Sequence, residues 1–156
     1  WFDHERYLVT SMSPAAEFFA AVSGVKIEVN ARPHESGVKA TGIDIVSNEK
    51  TSSDVHRLLE ARYGSRVALL DFNTVTAIHE PRASKGNALA LIAEDLGVDR
   101  SQVLAIGDGI NDVSMLSWAG QSGTPAHGDS YAKDSAKEVL KGEGVSGVVA
   151  RLMSVL

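Results

Sequence analysis

The sequence contains no cysteine, which removes disulfide bridges, thiolate metal sites and a cysteine nucleophile together. No apolar run reaches the roughly 18 residues that a membrane-spanning helix requires, and no charged-then-apolar leader opens the chain. These absences predict a cytoplasmic protein with no membrane partner. A net charge of −5 gives no basic surface for the phosphate backbone, so nucleic acid is not an expected partner either. Internal repeats, low-complexity tracts and charge blocks are missing. The five histidines, His4, His34, His56, His79 and His127, fall at no metal-ligand spacing and are expected in surface or packing roles. Trp1 and Trp118 are expected to pack rather than to form substrate platforms.

What is present is enough for a globular fold. At 156 residues and 44% hydrophobic content, the chain suits one ordinary domain or two small pieces. Ser13 followed by Pro14 marks a helix start, with Glu17, Phe18, Phe19 and Val22 inside and Gly24 at its end. Period-two alternation over 25–31 predicts a half-solvated strand, and Gly42–Val46 a second. Thr51 with Asp54 resembles a capping box ahead of an apolar stripe at Val55, Leu58, Leu59 and Tyr63, closed by Gly64. Residues 66–71 and 74–79, separated by Phe72 and Asn73, predict a hairpin. Residues 1–80 thus read as a small antiparallel sheet with helices on one face.

A composition shift at Glu80-Pro81-Arg82-Ala83 is taken as a hinge. Beyond it, Ser84 caps a helix with Leu89, Ile92, Ala93 and Leu96 on one face, closed by Gly97. Residues 103–106 form a short continuous apolar run, suited to a strand buried on both faces of a parallel sheet. A helix is expected over 111–118, a short strand within 122–127, a helix capped by Ser130 and running to Leu140, and a closing amphipathic helix through Val145, Val148, Val149, Leu152 and Leu156.

The stretch that carries chemistry follows the run at 103–106. Gly107 and Gly109 are expected to supply the backbone freedom of a tight strand-to-helix turn. Asp108, Asn111 and Asp112 place three oxygen-bearing side chains at the carboxyl end of the strand, where open α/β sheets keep their ligands. A dinucleotide-binding fingerprint would need a third glycine where Asp112 stands, and a calcium-binding EF-hand would need an oxygen ligand where Ile110 stands. Both readings fail.

Gly107, Asp108, Asn111, Asp112, Met115 and Leu116 together resemble the last signature of the haloacid dehalogenase (HAD) superfamily of phosphotransferases. In P-type ATPases the same signature usually continues with Ala-Leu, so the soluble phosphatase branch fits better. Ser84-Lys85-Gly86 resembles a second signature, at the start of the helix after the cap in the Cof-like sugar and nucleotide-cofactor phosphatases. A cation beside free N–H groups at a helix start is a sound phosphate grip. Phosphoserine phosphatases share the later signature, but their cap is helical and lies earlier in the chain.

The resemblance implies an α/β fold: a Rossmann-like core with a parallel sheet, of which 81–156 would be the C-terminal half, and a small α+β cap with an antiparallel sheet over 1–80. It also implies a chemistry. In the family an aspartate attacks the phosphoryl group, a second aspartate two residues on serves as general acid and base, and Mg²⁺ neutralises charge between nucleophile and phosphate. Asp108 would be a metal ligand, with Asp112 behind it. Asn111 would orient a carboxylate or touch substrate. Lys85 would be the catalytic and substrate-binding lysine, holding nucleophile and phosphoryl oxygens. Asp129, after Gly128, stands where relatives carry asparagine.

The nucleophile signature, a hydrophobic strand ending in Asp-x-Asp, is nowhere in the sequence. Phe2-Asp3-His4-Glu5 is a poor substitute, because no buried strand leads into it. The hydroxyl signature is missing too, and Leu8-Val9-Thr10-Ser11 lacks its surroundings. With Trp1 in place of an initiator methionine, the chain looks cut. Two functions follow: a Mg²⁺-dependent phosphatase of small phosphorylated metabolites such as sugar phosphates, seen as its C-terminal part and inactive alone, or an inactive structural or interaction module. In the family the nucleophile strand pairs with the strand at 103–106, which is therefore expected to keep an open edge. A missing N-terminal core segment, a second copy or a separate partner chain would complete the sheet, unless 75–79 fills the gap.

Overall fold

The computed structural model describes residues 1–142 and 144–155, and within them the local signals of the sequence can be followed one by one. β1 (Tyr7–Val9) precedes α1 (Pro14–Ser23), which starts where the Ser13 side chain accepts the Ala16 N–H and stops at Gly24, whose φ of 68° is left-handed. A left-handed terminal residue is the usual place for glycine. β2 (Ile27–Val29) then pairs in parallel with β1. This corrects the expectation of one antiparallel sheet over 1–80. The parallel pair exists because α1 serves as the crossover that such a pair needs.

β3 (Gly42–Val46), α2 (Ser52–Tyr63), β4 (Ala68–Asp71) and β5 (Val75–His79) follow. The three strands form an antiparallel sheet in the order β3-β5-β4, with α2 packed on β4 and β5. Asn73, at φ 67°, turns the β4–β5 hairpin while the Asp71 carboxylate accepts its N–H. Phe2 ties the two sheets together. It bridges to both Tyr7 and Gly42, and its ring stacks on Tyr7 at 5.1 Å.

Two details of α2 depart from expectation. The Thr51 hydroxyl bonds to the Asn48 backbone instead of capping, and Asp54 pairs with Arg57, so no capping box forms. Leu58 is 68% exposed, and the stripe runs through Val55, His56, Leu59 and Tyr63 instead.

The second run of elements is α3 (Lys85–Asp95), β6 (Leu104–Ile106), α4 (Val113–Trp118), β7 (Gln121–Thr124), α5 (Ser130–Ser135), β8 (Glu138–Val139) and α6 (Val145–Met153). β6, β7 and β8 make a parallel sheet in that order. Ala105, Leu116, Ala119 and Ala132 form its core, with Leu89, Val103, Met115 and Trp118 packed around them. The helix expected from Ser130 to Leu140 is shorter than its pattern suggested. Asp129 caps it, it ends at Ser135, and Lys137 and Leu140 donate their N–H groups to Ser122 and Thr124 of β7, drawing the chain into β8. Leu156 lies outside the described residues.

The chain divides into two compact units, Trp1–Pro81 and Arg82–Leu156. β6 is not left unpaired, because β7 takes one side. Its other side has no strand among the described residues, and β5 is already held between β3 and β4. No helix among the described residues is long and apolar enough to cross a membrane.

Candidate active site

Ser84, Lys85 and Gly86 each do a different job at the start of α3. Ser84 Oγ accepts the Asn87 N–H at 3.2 Å and sets the first turn. That turn directs the Lys85 side chain to Asp112, with Nζ 2.5 Å from Oδ1. Gly86 lets α3 touch α4: its N–H donates to Ser114 Oγ at 3.0 Å, and a Cβ there would lie 2.5 Å from the Ser114 carbonyl oxygen.

On the opposing side, β6 ends in a short turn over Ile110–Asp112 that leads into α4. The Asp112 side chain folds back over this turn, and its Oδ2 accepts the N–H groups of Asp108 at 2.9 Å and Gly109 at 3.2 Å. The two glycines are therefore not needed for left-handed backbone. Gly109 is extended, at φ −138°, and neither it nor Gly107 has a positive φ. Gly107 is required for space: a Cβ on it would lie 2.4 Å from Asp112 Cβ and 2.6 Å from its Cγ.

Asp112 is 5% exposed in its side chain while Lys85 is half exposed. Burial pushes the Asp112 carboxyl up, but the Lys85 hydrogen bond, the two backbone N–H groups and the ammonium charge together hold it below the usual carboxylate range. A carboxyl lowered on folding contributes stability that is fully present above its unfolded value, near 4, and is lost as pH falls through its folded value. Asp112→Asn should therefore cost about 1–3 kcal/mol at neutral pH, and the gap to wild type should close as pH drops below about 4. Urea unfolding from pH 6 to pH 3 measures this, and a gap independent of pH would contradict it.

The sequence-derived residues Lys85, Asp108 and Asp112 meet at one end of β6, all within the second unit. Asn111 shares the turn, and its side-chain oxygen lies 3.1 Å from where a Gly109 Cβ would stand; among the described residues no hydrogen bond joins it to Lys85, Asp108 or Asp112. Asp108 is solvent-facing, and no hydrogen-bond donor engages its carboxylate among the described residues. His127 Nε2 lies 3.9 Å from its Oδ2. Among the described residues no three His, Cys, Asp or Glu side chains gather as a metal site. The donor set still fits one contact to a hard cation, through the uncommitted Asp108 carboxylate, because both Asp112 oxygens are already engaged.

His127 is exposed, as the sequence led one to expect, but neither it nor Ser114 was placed at this turn by sequence reasoning. No spacing rule links His127 to Asp108. Their proximity comes from β6 and β7 lying side by side in parallel, which brings the turns after both strands to one edge. Asp129 is explained by capping: its Oδ1 accepts the Ala132 N–H at 2.7 Å, and its own N–H donates to the Asp108 carbonyl at 2.9 Å. Aspartate serves there as well as asparagine.

A cavity of about 690 Å³ lies in the first unit, lined by Phe2, Tyr7, Phe19, Phe72 and Asp44 among others, and by no residue of the second unit. Burial pushes the Asp44 carboxyl up.

A parallel sheet with a lysine-headed helix and a carboxylate turn at its carboxyl edge is an α/β arrangement of the kind that keeps its ligands at that edge. Residues 9–152 match the sequence model of the haloacid dehalogenase-like hydrolases, and the chain belongs to that family. It is 32% identical over 126 residues to the phosphoglycolate phosphatase of Methanopyrus kandleri, covering 80% of this chain and 54% of the relative. The phosphoglycolate phosphatase of Aeropyrum pernix is 38% identical over 79 residues, covering 51% and 33%. A haloacid dehalogenase-like hydrolase from Bacteroides thetaiotaomicron superposes with a TM-score of 0.77 at 20% identity, over 97% of this chain and 59% of that one. The chain thus spans about half the length, or less, of the curated relatives it matches.

Proposed function

We propose that this chain carries the lysine and metal-ligand side of a Mg²⁺-dependent phosphoric monoester hydrolase acting on a small phosphorylated metabolite. The observation that carries the reading is the Lys85–Asp112 pair, fixed by the N–H groups of Asp108 and Gly109 at the end of β6. Residues 1–80 would serve as the cap and 81–156 as the C-terminal half of the core, in the cytoplasm. The phosphatase names of the relatives support the reaction, and phosphoglycolate and sugar phosphates are the first substrates to test.

Lys85 places an ammonium at the mouth of the site, where it holds phosphoryl oxygens as their charge grows. Asp112 fixes that ammonium and stays ionised beside it. Asp108 offers the carboxylate oxygen that would hold Mg²⁺, which when bound supplies neutralisation of phosphate charge. Asn111, on the same turn, would reach substrate. No Asp-x-Asp occurs in the sequence, so on this reading the nucleophile would come from polypeptide outside these residues. The same absence favours a second reading, an inactive structural or interaction module.

Hydrolysis of p-nitrophenyl phosphate with Mg²⁺ separates the two. The 156-residue chain should show none, because lysine and metal cannot form the covalent intermediate. Polypeptide extended to an in-frame Asp-x-Asp strand should turn over and lose that activity in Asp108→Ala. An inactive extended protein supports the module, and robust activity in the chain alone would mean that the nucleophile has been misplaced.

A further inference from the structure

We propose that His127 is a substrate-binding residue of this site, its imidazole N–H contacting a phosphoryl oxygen beside Asp108. The inference rests on the phosphatase reading and adds a residue to it.

Three observations converge. His127 Nε2 lies 3.9 Å from Asp108 Oδ2, and both side chains are well exposed, at 60% and 64%. An edge of the ring therefore stands beside the carboxylate and remains open to an arriving ligand. The loop that holds the ring is also fixed in place. Gly128 donates its N–H to the Pro125 carbonyl and Asp129 donates to the Asp108 carbonyl, each at 2.9 Å, and the Asp129 side chain caps α5. A Cβ on Gly128 would lie 2.3 Å from Thr124 Oγ1, so the loop fits closely against the end of β7. Finally, the Asp129–Asp108 bond joins the His127 loop directly to the residue that would hold the metal, and fixes the ring's anchor relative to that carboxylate.

The chemistry of the ring suits the role. Imidazole carries an N–H donor in either protonation state, so it can donate to an anionic oxygen without a change of charge. Lys85 is already tied to Asp112. A phosphoryl group beside Asp108 presents several oxygens, and one lysine cannot satisfy them all. A second donor at the Asp108 side is supplied by His127.

The test uses inorganic phosphate as the probe, followed by phosphorus NMR at fixed pH 7.5 with Mg²⁺ present, on the chain and on the polypeptide extended to the nucleophile strand. His127→Ala should weaken phosphate binding about tenfold, the size of one hydrogen bond to a charged group. His127→Gln, which keeps an N–H donor, should recover most of it. In the extended protein KM for p-nitrophenyl phosphate should rise by a similar factor with kcat within about twofold, the signature of lost ground-state binding. Equal phosphate affinity in wild type and His127→Ala would overturn the proposal, as would a fall in kcat with KM unchanged. Loss of turnover in the wild-type extended protein would overturn the phosphatase reading instead, while the phosphate titration would still decide the role of His127.

Discussion

Replacing Gly107 with alanine should cost about 3 kcal/mol of stability and scatter the site, although its backbone conformation is open to any residue. The new Cβ would stand 2.4 Å from Asp112 Cβ and 2.7 Å from its Oδ2. Asp112 has little room to yield, because it is buried and held by Lys85 and two backbone N–H groups. Overpacking of this kind costs about 1–3 kcal/mol, and loss of the charged hydrogen bonds adds to it. Gly109→Ala supplies the contrast. Its nearest neighbour would be Asn111 Oδ1 at 3.1 Å, the end of a side chain that can rotate, so it should cost less than about 1 kcal/mol. Chemical denaturation of both variants decides the matter, and equal costs would show that the turn, not Asp112, requires the glycines.

That contrast marks where sequence reading succeeds and where it stops. The pattern from Gly107 to Leu116 located the turn after β6 where Asp108 and Asp112 stand, and Ser84 located the start of α3, because caps, glycines and apolar runs act through neighbours in the chain. The purpose of Gly107 was not legible, since it depends on where a side chain five residues later folds back. The β1–β2 pair was missed for a related reason. The strand expected over 25–31 is present as β2, but β1, at three residues, is too short to display a period, and the pair exists through pairing across α1. α5 was overextended because the alanines and lysines of 130–137 favour a helix, while the carbonyl and hydroxyl groups of β7 pull the chain into β8. That Ser114 touches α3 and that His127 stands near Asp108 was not legible, because touching helices and parallel strands bring them in from a distance.

Lys85→Ala should lower kcat in the nucleophile-containing protein by about 10²–10³, the range found when one donor to a charged transition state is removed. The fold should survive. Lys85 is half exposed, and Asp112 keeps both backbone N–H donors, so stability should fall by about 1–2 kcal/mol. Lys85→Arg should restore the stability but little of the rate, because a planar guanidinium cannot place its charge where a point ammonium stood. Single-turnover rates alongside thermal melts separate the two effects. A melt that collapses with the rate would make Lys85 a structural residue.

The outer side of β6 carries a limit in its length. Val103 accepts from Gln121 and Gly107 donates to Gly123, so by the alternation of a parallel ladder the polar groups of Leu104 and Ile106 face away from β7. An incoming strand would find two donors and two acceptors there. At about 1 kcal/mol net for each hydrogen bond, four of them yield about 4 kcal/mol, no more than the low end of the cost of bringing two bodies together. Backbone pairing at this edge would thus decide the direction and register of whatever lies against it, while the strength of adhesion would have to come from side-chain area, for which Leu91, Ile92 and Leu96 of α3 lie exposed in the same unit.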